Sequence, residues 1–121
     1  MAKILIIEDE LSYCDSLEII LSRAGHEVFI AWSCHQGIQE GIDCAPDLLI
    51  VDWMLKGDLN GGQEAKQILA VHPQVKVIVV TKYTDVARQV GESYNFIDKV
   101  LQKPYHTADI IAAAEQTLAV R

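Results

Sequence analysis

Leu48-Leu49-Ile50-Val51-Asp52 is the stretch on which the fold turns. Four apolar residues end on a carboxylate, and Trp53-Met54-Leu55-Lys56-Gly57 then carries the chain into a polar, Gly-rich turn. A short, unbroken apolar run of this kind reads as a strand buried on both faces. Such a strand tolerates an aspartate only at its end, because burying an unpaired charge costs several kcal/mol or more. Asp52 is therefore expected at the C-terminal edge of a central sheet, facing a crevice.

The 121 residues, 50% of them hydrophobic, suffice for one domain with one core, and residues 1–121 are read as a single domain with no effector domain in this chain. The net charge of −7, with no basic run, argues against nucleic acid as a direct ligand. Cys14, Cys34 and Cys44 are odd in number and lack metal-ligand spacing, so thiols in a reducing cytoplasm are expected. The start, Met1-Ala2-Lys3, has no signal-peptide layout. No apolar run approaches the roughly 20 residues that span a bilayer, so no membrane is expected as a partner.

Outward from Leu48–Asp52, similar runs recur. Residues 3–7 form an apolar strand pattern ending in Glu8-Asp9, residues 75–80 one ending in Thr81, and residues 97–102 a weaker one closed by Lys103-Pro104. Val28, Phe29 and Ile30 favour a further strand within residues 26–32. Between them lie helical patterns: residues 11–24, stopped by Gly25; a helix capped by Ser33 and running to about Cys44; residues 63–71, stopped by Pro73; a weaker one over 85–92; and an Ala-rich one over 107–119. Five β–α units with short connections imply a parallel sheet covered on both faces, because right-handed crossovers place helices there. The expected architecture is an α/β, doubly wound, flavodoxin-like sheet of order 2-1-3-4-5 with five helices, and ligands in such sheets bind beyond the strand ends between strands 1 and 3.

At that edge the sequence collects Glu8 and Asp9 from strand 1, Asp52 from strand 3, Thr81 from strand 4 and Lys103 from strand 5. Three carboxylates this close repel one another unless a cation intervenes. Hard oxygen ligands completed by water suit Mg²⁺. An acid after a strand is often only a helix cap, but five strand ends supplying one coherent set point to chemistry. The chemistry indicated is phosphoryl transfer to a carboxylate, with Asp52 as the nucleophile. Asp9 and Asp52 would hold Mg²⁺, with Glu8 acting through water. Lys103 supplies a point charge for phosphate and Thr81 a hydroxyl donor.

In this order, Glu8-Asp9, Asp52, Thr81 and Lys103-Pro104-Tyr105 resemble the acidic pair, phosphoacceptor, switch hydroxyl and Lys-Pro-aromatic motif of the receiver domains of two-component response regulators. The resemblance covers essentially the whole chain. It implies a sensor histidine kinase or histidine phosphotransfer protein as donor, Mg²⁺ as cofactor, and the main-chain carbonyl of Met54 as a further metal ligand. It also implies a downstream output domain or protein, engaged through the fourth helix, fifth strand and fifth helix. The chain would catalyse part of its own phosphorylation and dephosphorylation and is not expected to be an enzyme in the ordinary sense.

Three positions depart from the family pattern. Val100 stands where an aromatic switch residue is usual, and valine has no ring to rotate. Tyr83 and Tyr94 are the candidate surrogates. Lys82 follows the switch threonine where a small residue is usual; its stem is expected in solvent, with a second cation near the phosphate, or an obstruction to the donor, as the other readings. Lys56 replaces a common proline. These departures motivate a second hypothesis, a receiver-like protein-interaction module that acts without phosphorylation. A nucleotide-binding enzyme is disfavoured, because the loop after strand 1 is acidic and not Gly-rich. The four histidines are read as structural, Trp32 as a packing residue, and Trp53 as a residue at the rim of the site.

Overall fold

The computed structural model describes residues 2–54, 60–82 and 94–119. In chain order these form β1 (Lys3–Ile7), α1 (Leu11–Arg23), β2 (Glu27–Ala31), α2 (Cys34–Cys44), β3 (Leu48–Asp52), α3 (Gly61–Val71), β4 (Lys76–Thr81), β5 (Lys99–Gln102) and α4 (Thr107–Ala119). The sheet is parallel throughout, in the order β2-β1-β3-β4-β5, as the sequence implies. Four helices lie among the described residues; the helix expected over 85–92 falls outside them.

Alternation along the central strands divides the core in two, since successive side chains point to opposite faces. Ile4, Ile6, Leu48, Ile50, Ile78 and Val80 face α1 and α4, meeting Leu17, Leu21 and Ile110. Leu5, Ile7, Leu49, Val51, Val77 and Val79 face the other way, onto Ala65 and Ile68 of α3. All five residues of β3 are buried, the aspartate included. On the second face α2 approaches closely through Gly37 and Gly41: a Cβ on Gly41 would lie 2.5 Å from Ile68 Cδ1, and one on Gly37 2.6 Å from Ile7 Cδ1.

Local signals set most boundaries. Ser33 accepts a hydrogen bond from the Gln36 N–H and caps α2. Gly25, at φ 94°, closes α1 in the left-handed region that favours glycine. Two expectations need correcting. The helix expected over 63–71 begins earlier, at Gly61, because Asn60 and Gln63 form a reciprocal capping box. Trp32 is not a core residue: β2 stops at Ala31, and the indole beyond it is 51% exposed.

Candidate functional site

Parallel pairing brings the strand ends to one edge. In register, Ile7 of β1 lies beside Val51, Asp52 of β3 beside Val80, and Thr81 of β4 beside Gln102. Backbone hydrogen bonds prolong the ladder: the Trp53 N–H donates to Val80 O at 2.9 Å and the Lys103 N–H to Thr81 O at 2.7 Å. Glu8, Asp52, Thr81 and Lys103 are all buried there, and Asp9 is half-buried.

The centre of the site is the Lys103 ammonium. It donates to Asp52 Oδ2 at 2.8 Å and to Glu8 Oε1, with both ion pairs almost wholly out of solvent. Burial alone disfavours this charge, but the hydrogen bonds to Asp52 and Glu8 outweigh it and hold the lysine pKa above its ordinary value. Burial pushes the Glu8 carboxyl up, to about 7; the Lys103 hydrogen bond opposes this and the nearby Asp52 charge adds to it. One buried ammonium thus serves two buried carboxylates. Asp52 Oδ1 accepts from the Met54 N–H at 3.0 Å, so each Asp52 oxygen is oriented by a donor.

Glu8, Asp9 and Asp52 each present a carboxylate oxygen, and these atoms lie within 4.8 Å of one another. An all-oxygen, all-anionic donor set suits a hard divalent cation such as Mg²⁺. The three acids are therefore brought together as the sequence implies. Met54, whose main-chain carbonyl the resemblance makes a further metal ligand, lies two residues after Asp52 and has an exposed side chain.

Several neighbours were not legible as part of this site. The Tyr13 ring of α1 lies 4.1 Å from Lys103 Nζ, close enough for a cation–π contact, and packs at 5.5 Å against the Tyr105 ring. The Cys14 thiol donates to Glu8 O at 3.2 Å; burial, with the Glu8 charge, raises its pKa to about 11 and keeps it protonated. Helical spacing from the acidic loop was the available signal, since Tyr13 and Cys14 fall one turn into α1. Lys82 is exposed, as expected of its stem, and its ammonium pairs with Glu10. Trp53 is half-buried against the β3–α3 core and meets the Tyr94 ring edge-on at 5.2 Å, with Phe96 beyond at 5.7 Å from Tyr94. Two histidines do have structural partners, His26 Nδ1 accepting from the Ala2 N–H and His72 Nε2 lying 2.8 Å from Ile42 O.

Residues 4–115 match the response regulator receiver domain, and the chain belongs to that family. It is a receiver domain of the two-component response regulators. The transcriptional regulatory protein ZraR of Escherichia coli K12 is 28% identical over 116 residues, covering 96% of this chain and 26% of that protein. The chain thus spans about a quarter of the length of the curated relatives it matches. Among solved structures, a CheY-like receiver domain protein from Methanospirillum hungatei JF-1 superposes with a TM-score of 0.88 at 26% identity, covering 98% of this chain and 94% of that one. NtrX from Brucella abortus, solved with ATP, gives 0.87 at 28% identity, covering 97% of this chain and 27% of that one.

Proposed function

We propose that Asp52 accepts a phosphoryl group from the phosphohistidine of a sensor histidine kinase or histidine phosphotransfer protein, and that the modified chain engages an output domain or protein. The observation that carries this reading is the single buried ammonium of Lys103 bridging Glu8 and Asp52, with Asp9 completing a cation-sized group of oxygens. In the transfer an Asp52 oxygen bonds to phosphorus as the donor's P–N bond breaks. The imidazole nitrogen leaves with the electron pair and takes up a proton. Lys103, which already holds one Asp52 oxygen, would contact the incoming phosphoryl oxygens, and the Met54 N–H keeps the other Asp52 oxygen oriented. Thr81, buried at the end of the neighbouring strand, supplies a hydroxyl donor to the same group.

Asp9 and Asp52, the Met54 main-chain carbonyl, and Glu8 through water would hold Mg²⁺. The bound cation supplies charge neutralisation for the phosphoryl oxygens. Hydrolysis of the acyl phosphate by this same site is self-directed, so the chain is a signalling module and not an enzyme turning over an external substrate. Its donor and its lack of disulfides fit the cytoplasm.

The test is incubation with Mg²⁺ and a small phosphodonor, acetyl phosphate or phosphoramidate, followed by intact mass. One phosphoryl adduct is expected on the wild-type chain and on Asp58→Asn, and none on Asp52→Asn. Absence of an adduct with every donor would favour the interaction module that acts without phosphorylation.

A further inference from the structure

Glu10 and Lys82 belong to loops that the topology keeps apart. Glu10 precedes α1 at the end of β1, Lys82 follows β4, and β3 with Asp52 lies between those strands. Neighbouring strands are 4.7–4.9 Å apart, so β1 and β4 stand about 10 Å from one another. The Lys82–Glu10 ion pair therefore crosses the end of β3, over the mouth of the site. Both side chains are substantially exposed, 55% for Lys82 and 36% for Glu10. Glu10 holds the ammonium first, by hydrogen bond and by charge, but Asp52 also attracts it and Lys103 repels it. The ammonium thus lies within electrostatic reach of the acceptor while bonded elsewhere.

We propose that Lys82 is a phosphoryl-binding residue of this chain, parked on Glu10 across the mouth of the site until a phosphoryl group occupies Asp52. The inference rests on Asp52 being the acceptor. An exposed pair such as Lys82–Glu10 is weakly held. A phosphoryl group brings nearly two negative charges and three strong acceptor oxygens, and outcompetes one solvated carboxylate for the ammonium. Lys103 reaches Glu8 and Asp52 from the buried floor of the site, whereas Lys82 is solvent-exposed and would add a second cation to the same phosphoryl group. Hydrolysis needs a water oxygen to bond to phosphorus as the Asp52 O–P bond breaks, releasing inorganic phosphate and restoring the carboxylate. A Lys82 ammonium on the phosphoryl oxygens lies over the approach that this water takes. The residue would set the lifetime of the phosphorylated state.

Decay of the adduct, formed with acetyl phosphate and Mg²⁺ and followed by intact mass after the donor is removed, tests this. Lys82→Met keeps most of the stem and removes the charge; it should shorten the half-life by roughly 3- to 10-fold, as expected for one partly screened charge contact. Lys82→Arg should restore the wild-type half-life, and Glu10→Gln, which frees the ammonium, should lengthen it. A Lys82→Met half-life within about twofold of wild type would overturn the inference, given the same expected range. So would Lys82→Met and Glu10→Gln changing the half-life in the same direction, which would make the pair only a barrier. No adduct on the wild-type chain would instead overturn Asp52 as acceptor, and the role of Lys82 with it.

Discussion

Glu64 lies on α3 with none of its surface exposed, and neither carboxylate oxygen meets an N–H or O–H donor among the described residues. It faces α2, where a Cβ on Gly37 would sit 2.5 Å from Glu64 Oε1, so the missing side chain of Gly37 makes its room. Burial raises its pKa from the ordinary 4.5 to about 7; the neighbouring Cys34 thiol, a weak donor, only partly offsets this. The folded chain therefore binds more protons than the unfolded chain between those values. The stability that comes from holding Glu64 neutral is fully present below about pH 4.5 and is lost as pH rises through 7. Glu64→Gln should leave stability nearly unchanged at pH 5 and raise it at pH 8 by up to about 3 kcal/mol. Urea unfolding at the two pH values measures this, and an equal effect at both would contradict it. Nothing in the sequence marked Glu64 as dry, since an acid near the start of a helix ordinarily faces solvent and favours the dipole. Asp52 and Glu8 were legible because each ends an apolar run, where a charge needs a reason, and Lys103 because it closes the last strand pattern ahead of Pro104.

At the scale of elements, the start of α3 ties the helix to the Asp52 end of β3. The Gly61 N–H donates to Trp53 O at 3.0 Å, and a Cβ on Gly61 would lie 2.5 Å from Asp52 O. Those neighbours are backbone atoms at the end of β3 and cannot turn aside. Gly61→Ala should lose about 2 kcal/mol of stability despite alanine's better helix propensity, and should slow adduct formation at Asp52 by shifting the strand end. Chemical unfolding together with the rate of phosphorylation checks both effects; a stabilised variant with an unchanged rate would contradict the close approach. The sequence showed a Gly-rich turn here but not that the helix absorbs Gly61 and Gly62, because the requirement comes from β3 in another part of the chain. Helix α2 was legible almost to the residue, its Ser33 cap and Cys44 end being local features.

For the whole molecule, the parallel sheet followed from β–α alternation and chirality, and its order from the simplest doubly wound arrangement of five such units. The surroundings of Val100 were less legible. Val100 of β5 packs half-buried with Phe96, Ile97 and Trp53 against the face that carries α3. The edge-to-face series Trp53–Tyr94–Phe96 lies on that same face. The rings thus sit beside the end of β3 and not at position 100, a placement set by tertiary packing. Tyr83 and the helix expected over 85–92 lie outside the described residues.

The central claim, that Asp52 is the atom-level acceptor, is tested most directly by chemical trapping. Borohydride reduces an aspartyl phosphate to homoserine, so the phosphorylated chain, reduced, digested and sequenced by tandem mass spectrometry, records which aspartate carried the phosphoryl group. Homoserine at position 52 alone is the predicted result. Homoserine at position 9 or 58 instead, or at no aspartate of a chain that carries an adduct, would contradict it.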